Sequence, residues 1–192
     1  MKAIILAAGQ SSRLYPRTLT KPKCLLEINN KMIINYQIDW LNQFGVKDIV
    51  VVVGYLADVI IKEVGNKVRY RTYEAYSNTN NLYTLNSIKD ELDDDTIILF
   101  SDVLLSPDLL EKCINSKDDF NLIIDKKNIT DKTMRVIIRD NSIYDIGSHI
   151  PVDEASANFI GIAKFSRLAA KVIEKKIAEY ANNKLFINAY YT

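Results

Sequence analysis

Cysteine occurs only twice in the 192 residues, histidine and tryptophan once each, and proline four times. Two cysteines, Cys24 and Cys113, are too few for a disulfide framework, and a single histidine leaves no zinc-binding spacing. Neither sign of charge dominates: 25 Lys and Arg stand against 24 Asp and Glu, a net charge of +1. The chain therefore lacks the basic excess with which proteins hold nucleic acid or an anionic membrane. Long apolar runs are missing too. The opening KAIILAA is too short for a membrane span or a signal sequence, and no cleavage site follows it. Repeats, low-complexity stretches and linkers are likewise lacking. These absences leave one domain in a reducing cytoplasm, and they say nothing about chemistry.

What is present is a globular composition, 48% hydrophobic and 26% charged, in a chain long enough for a substantial core. Lys2 to Leu6, DIVVVVGY and TIILFSDV read as strands buried on both faces, because their β-branched residues run nearly without interruption. Between them, residues 32–44 place Ile33, Ile34, Ile38, Leu41 and Phe44 on one helical face, with Gly45 as a stop. Ala57 to Val64 reads as a short helix, VRYRTY as a strand, and Asn81 to Leu92 as a helix. Ser106-Pro107-Asp108 starts another: a hydroxyl cap, proline in the first turn, and an acid on the positive dipole end. NLIID reads as a strand, MRVIIRDNSIYDI as two strands around an Asp-Asn turn, and Ser166 caps a last helix running to about Tyr180. Alternating strands and helices predict a Rossmann-like α/β fold, a mostly parallel sheet between two helical layers.

Ligands of such sheets bind beyond the carboxyl ends of the strands, and three strand ends here are unusual. The first reads Ala7-Ala8-Gly9 and then Ser11, Ser12 and Arg13. Small residues let backbone N–H groups approach an anion, hydroxyls add donors, and arginine offers a fork for phosphate. The second is Lys21-Pro22-Lys23, where proline stiffens the backbone between two ammonium groups. The third is Asp102, placed to hold Mg²⁺ between phosphate oxygens. Each has an ordinary reading as well: a plain turn, a solvated lysine pair, a turn aspartate. His149 reads as a loop residue, Trp40 as core, and Asp93, Asp94 and Asp95 as a solvated turn. Tyr70, Tyr73, Tyr76 and Tyr83 suit packing or the stacking of a base.

Taken together, KAIILAAGQSSRL, LTKPKCLLEI, VVVGY, NTNNLYTL and SDV, in this order, resemble the nucleotidyltransferases that make nucleotide-activated sugars and alcohols. PKCLLEI, SDVLLSPDLL and FIGIAKFS are most similar to the small CTP-using branch, the phosphocholine, aminoethylphosphonate and phosphoglutamine cytidylyltransferases. The resemblance implies a nucleotidyltransferase domain over residues 1–192, Mg²⁺ as cofactor, CTP and a small phosphorylated acceptor as partners, and a homodimer. It implies that Leu6, Ala7, Ala8, Gly9, Ser11 and Ser12 line the nucleotide, with Asn80 and Asn81 near base and ribose. Arg13 would hold the triphosphate, Lys23 would bridge the α-phosphate and the attacking group, and Asp102 would ligate the metal. Arg135 would bind the acceptor phosphate, with Asp125 or Glu154 for an ammonium group.

Three departures accompany the resemblance. Ser11 stands where the family carries a second glycine, Ser148 where relatives often have lysine, and the chain stops at Thr192 although relatives continue past a segment like INAYYT to a second metal-binding aspartate. The C-terminal part of the usual domain is thus expected to be missing. Two other functions stay open, a sugar-1-phosphate nucleotidyltransferase and a nucleotide-binding module without turnover.

Overall fold

A computed structural model describes residues 1–182. In chain order its elements are β1 (Lys2–Ala7), a small hairpin of β2 (Glu27–Ile28) and β3 (Lys31–Met32), α1 (Ile33–Gln43), β4 (Asp48–Val53), α2 (Ala57–Val64) and β5 (Arg69–Thr72). Then come α3 (Asn81–Asn86), β6 (Thr96–Phe100), α4 (Pro107–Asn115), β7 (Phe120–Asp125), β8 (Met134–Arg139), β9 (Ser142–Gly147), β10 (Ala157–Phe165) and α5 (Arg167–Ala181).

The β-branched runs sit at the centre of an eight-stranded sheet ordered β5-β4-β1-β6-β10-β8-β9, with β7 also paired to β10. β5, β4, β1 and β6 are parallel. An antiparallel extension of β10, β7, β8 and β9 continues from β6. On one face α1, α2 and α4 bury Ile34, Ile38, Leu41, Ile60 and Leu110 against Ile5, Val51 and Leu99. On the other, α3 and α5 bury Leu82, Leu85, Ala170 and Ile177 against Ile4, Val52 and Ile98. Alternate residues of one strand thus feed two cores, which is why the runs carry no polar positions after their first residue. This is the three-layer α/β/α arrangement that the alternating pattern predicts. No helix among the described residues is long and apolar enough to cross a membrane.

Local expectations fare unevenly. Gly45 follows α1 with φ +84, the left-handed conformation of a helix stop. Ser166 caps α5 by accepting the Ala169 N–H at 3.2 Å. Ser106 occupies the N-cap of α4, but its hydroxyl makes no cap bond. The helix expected to run to Leu92 stops at Asn86 and gives way to a tight turn over Lys89–Glu91. It breaks where Glu91 is drawn to Lys2 at 2.8 Å and Arg69 at 3.0 Å. Ile88 and Leu92 stay buried, so the apolar spacing survives in a different backbone. The turn of Asp93 and Asp94 is tied down as well as solvated: Asp93 pairs with Lys2 at 2.6 Å and Asp94 with the N-terminal ammonium at 2.8 Å.

Candidate functional site

The parallel strands β1 and β6 end side by side, and a cleft of roughly 480 Å³ opens at their carboxyl ends. That is ample for a nucleotide-sized ligand. From β1 and the loop after it come Leu6, Ala7, Gly9, Ser11 and Arg13; a Cβ added at Gly9 would meet nothing within 4 Å. The backbone there faces open space. Ser11 takes φ 52 and ψ 40, the left-handed region that suits glycine. Its carbonyl accepts the Leu14 N–H at 3.0 Å and the Thr18 hydroxyl at 2.9 Å, and these bonds hold the strained turn that presents Arg13.

Lys23 and Asp102 meet in the cleft as an ion pair, each about one-third exposed. Two features hold them there. Pro22 leads into a short helical turn over Lys23–Leu25 with Cys24 and Leu25 buried beneath it. On the other side, Gln37 of α1 donates from Nε2 to the carbonyls of Phe100 at 2.9 Å and Val103 at 2.6 Å, bracketing the Ser101-Asp102 turn. The sequence reading missed Gln37, a lone amide on an apolar helix face. Burial pushes the Cys24 thiol up to about 12, so it stays protonated and is no nucleophile.

The remaining wall is the loop Asp131, Lys132, Thr133 and Met134 together with Ser148. No periodicity or motif marks this loop in the sequence; only its position just before Arg135 could have drawn the eye.

Several expected site residues lie elsewhere. Ala8 turns its carbonyl to the Tyr55 N–H at 2.9 Å and braces the loop after β4. Ser12 starts a short helical turn and Asn80 caps α3, its Oδ1 accepting the Leu82 N–H at 3.0 Å; Asn81 is the residue that lines the cleft. Lys21 pairs with Glu27 at 2.8 Å on the surface. Arg135 does not reach the cleft as an anion ligand. It is 5% exposed, and its guanidinium donates to the carbonyls of Thr130, Thr133, Ser148 and Ile150. Asp125 ends β7 and accepts the Lys127 N–H at 2.8 Å, while Glu154 sits on an exposed turn; neither lines the cleft. The tyrosines serve packing and local bonds, as in Tyr73 with Thr79 at 2.8 Å and Tyr70 with the Gly65 carbonyl at 2.6 Å. Trp40 packs on the core, and His149 lies on the surface with Asp145 at 2.9 Å.

Among the described residues no three His, Cys, Asp or Glu side chains gather into a metal cluster. Asp102 alone still suits Mg²⁺, which is commonly held by one or two carboxylates plus substrate phosphates and water. The INAYYT segment, past which the resemblance puts a second metal-binding aspartate, lies outside the described residues.

A family model described as the MobA-like NTP transferase domain matches residues 3–128. CTP:phosphoglutamine cytidylyltransferase of Campylobacter jejuni is 34% identical over all of this chain and 85% of its own length. Choline-phosphate cytidylyltransferase of Streptococcus pneumoniae is 43% identical over 51% of this chain and 43% of that protein. The solved structure of CTP:phosphocholine cytidylyltransferase from Streptococcus pneumoniae superimposes with a TM-score of 0.79 at 27% identity, covering 99% of this chain and 81% of that one.

Proposed function

Because the chain belongs to the MobA-like NTP transferase domain family and is a nucleotidyltransferase, we propose that it transfers CMP from CTP to a small phosphorylated amine or amino acid. An oxygen of the acceptor's phosphate or phosphonate attacks the α-phosphorus of CTP. The new P–O bond forms as the bond to the β-phosphate oxygen breaks, and the electron pair leaves on pyrophosphate. The observation that carries this reading is the convergence of Arg13, Lys23 and Asp102 on one cleft at the ends of β1 and β6. Whole-length likeness to the phosphoglutamine enzyme supports CTP as donor.

The chemistry asks little covalent work of the protein, so positioning and charge neutralisation carry the rate. Backbone at Ala7, Gly9 and Ser11 lines the nucleotide, together with Asn81. Arg13 forks onto the triphosphate. Lys23 leaves Asp102 for the α-phosphate and the incoming oxygen, which holds the two anions in line. Asp102, freed from Lys23, is the carboxylate that would hold Mg²⁺, and such an ion would supply neutralisation of phosphate charge. On this reading the reaction runs in the cytoplasm, where CTP is available.

Pyrophosphate release, measured with each nucleoside triphosphate against a panel of phosphorylated amines, amino acids and sugars, tests this directly. CTP with an amine-bearing acceptor is the expected active pair. Activity with UTP, dTTP or GTP and a sugar phosphate would mark a sugar-nucleotide enzyme instead. CTP binding without pyrophosphate release from any pair would mark a binding module. Lys23→Ala and Asp102→Ala should each lower kcat/KM by about 100-fold to 1,000-fold, the loss typical of one charged stabiliser.

A further inference from the structure

Five charged side chains line the cleft: Arg13, Lys23, Asp102, Asp131 and Lys132. Lys23 and Asp102 neutralise each other. Arg13 belongs to the loop after β1, on the nucleotide side. Among the described residues, neither Asp131 nor Lys132 forms an ion pair, although both are exposed at the rim. They are neighbours in the chain, with Cα atoms about 3.8 Å apart.

The loop that carries them is fastened from below by two buried polar residues. Arg135 of β8 and Asn158 of β10 are register partners across the antiparallel pair, 5% and 4% exposed. Arg135 donates to the carbonyls of Thr130 at 2.8 Å and Thr133 at 3.3 Å, and to those of Ser148 and Ile150. Asn158 donates to the carbonyls of Lys127 at 3.1 Å and Asn128 at 3.2 Å, and accepts the Thr133 hydroxyl at 2.5 Å. The bonds of this hub end on backbone carbonyls or a hydroxyl, and among the described residues no carboxylate pairs with the guanidinium. A buried charge satisfied only by dipoles is costly unless its geometry holds. The loop beyond it is therefore held in a single shape. The uncompensated charge also makes the potential at the rim more positive.

Resting on the cytidylyltransferase reading above, we propose that Asp131 and Lys132 form a two-charge clamp for the acceptor. Lys132 takes the anionic phosphate or phosphonate, and Asp131 takes a cationic nitrogen on the same small molecule. Arg135 and Asn158 are positioning residues that set the clamp. A ligand matched to this rim carries both signs of charge within a short span, which excludes sugar phosphates as preferred acceptors. Lys23 then meets the same acceptor oxygen group from the nucleotide side.

Two measurements decide it. The first is calorimetric binding of phosphocholine and of ethyl phosphate, a neutral-tailed analogue, to the protein without nucleotide. Wild type should hold phosphocholine about tenfold tighter, the worth of one charged contact. Asp131→Asn should erase that preference, and Lys132→Gln should weaken both ligands alike. Binding is read whether or not CTP is turned over, so failure of the parent reading and failure of the clamp are told apart. An unchanged preference in Asp131→Asn, or no preference in wild type, overturns the clamp. The second is steady-state kinetics of Arg135→Lys, which keeps the charge and loses the fork. Acceptor KM should rise about tenfold while kcat at saturation moves far less, as expected when positioning of the acceptor is lost. Equal changes in the KM for CTP and for acceptor would reduce Arg135 to general scaffolding. Should that variant fail to fold, the surface variants Asp131→Asn and Lys132→Gln still test the clamp.

Discussion

Ser11 shows how much one backbone angle decides. At φ 52 its side chain crowds the following carbonyl, a cost of roughly 1 kcal/mol that glycine escapes. The turn is retained because its carbonyl anchors Leu14 and Thr18. Ser11→Gly should therefore raise unfolding stability by about 1 kcal/mol, read from urea titration. A loss of stability would mean that the hydroxyl makes a contact worth more than the strain. Serine at this position was visible in the sequence as a departure from the family; the sign of φ was not, because no side chain declares its own backbone conformation. Arg135 marks the same limit. A basic residue beside a site reads as an anion ligand, and only burial against four carbonyls shows that it serves the loop instead.

Strand β10 joins the parallel and antiparallel halves of the sheet by pairing with β6, β7 and β8. Its register slips between Phe159 and Ala163, and Gly161 sits inside the slip at φ +91. An added Cβ there would lie 2.3 Å from the Phe100 ring, and Phe100 lines the cleft. Gly161→Ala should cost about 2 kcal/mol or more, from strain plus overpacking, and should move Phe100. Chemical denaturation checks the first part, and a shifted KM for CTP checks the second. The bulge also explains why β10 was not legible as a strand: a glycine in the middle of ANFIGIAKF interrupts the alternation by which strands are read. The buried parallel strands, by contrast, were legible from β-branched runs alone, since burial on both faces leaves no other composition.

At the scale of the whole molecule, two charged clusters stand as poles at opposite ends of the parallel strands. Lys2, Asp48 and Arg69 stand at the starts of β1, β4 and β5, and Glu91, Asp93 and Asp94 just before β6. Bonds from Arg69, opposed by burial and reinforced by Lys2, hold the Glu91 carboxyl at about 2, against 4.5 in a free chain. Its stabilisation is complete above about pH 4.5 and drains away as pH falls toward 2. Unfolding free energy of the wild type should fall through that window, and the fall should flatten in Glu91→Gln. That variant should also lose about 2 kcal/mol at pH 7, since it leaves Lys2 and Arg69 short of a counter-ion. A pH profile with the same slope in both proteins would count against this assignment. Arg13, Lys23 and Asp102 were legible at the other pole because loops at strand ends are where such sheets bind ligands. The far wall of the cleft was not, because it is assembled from β7–β8 and β9–β10 connections that only the antiparallel extension brings there.

The separation of the poles has a practical side. Lys2 and Ala7 are the two ends of one six-residue strand, roughly 17 Å apart at 3.3 Å per residue. Substitutions that far apart act additively on stability. A background hardened at the Glu91 end can thus carry damaging changes near the cleft, so that the kinetic change of a variant such as Arg135→Lys is read on folded protein.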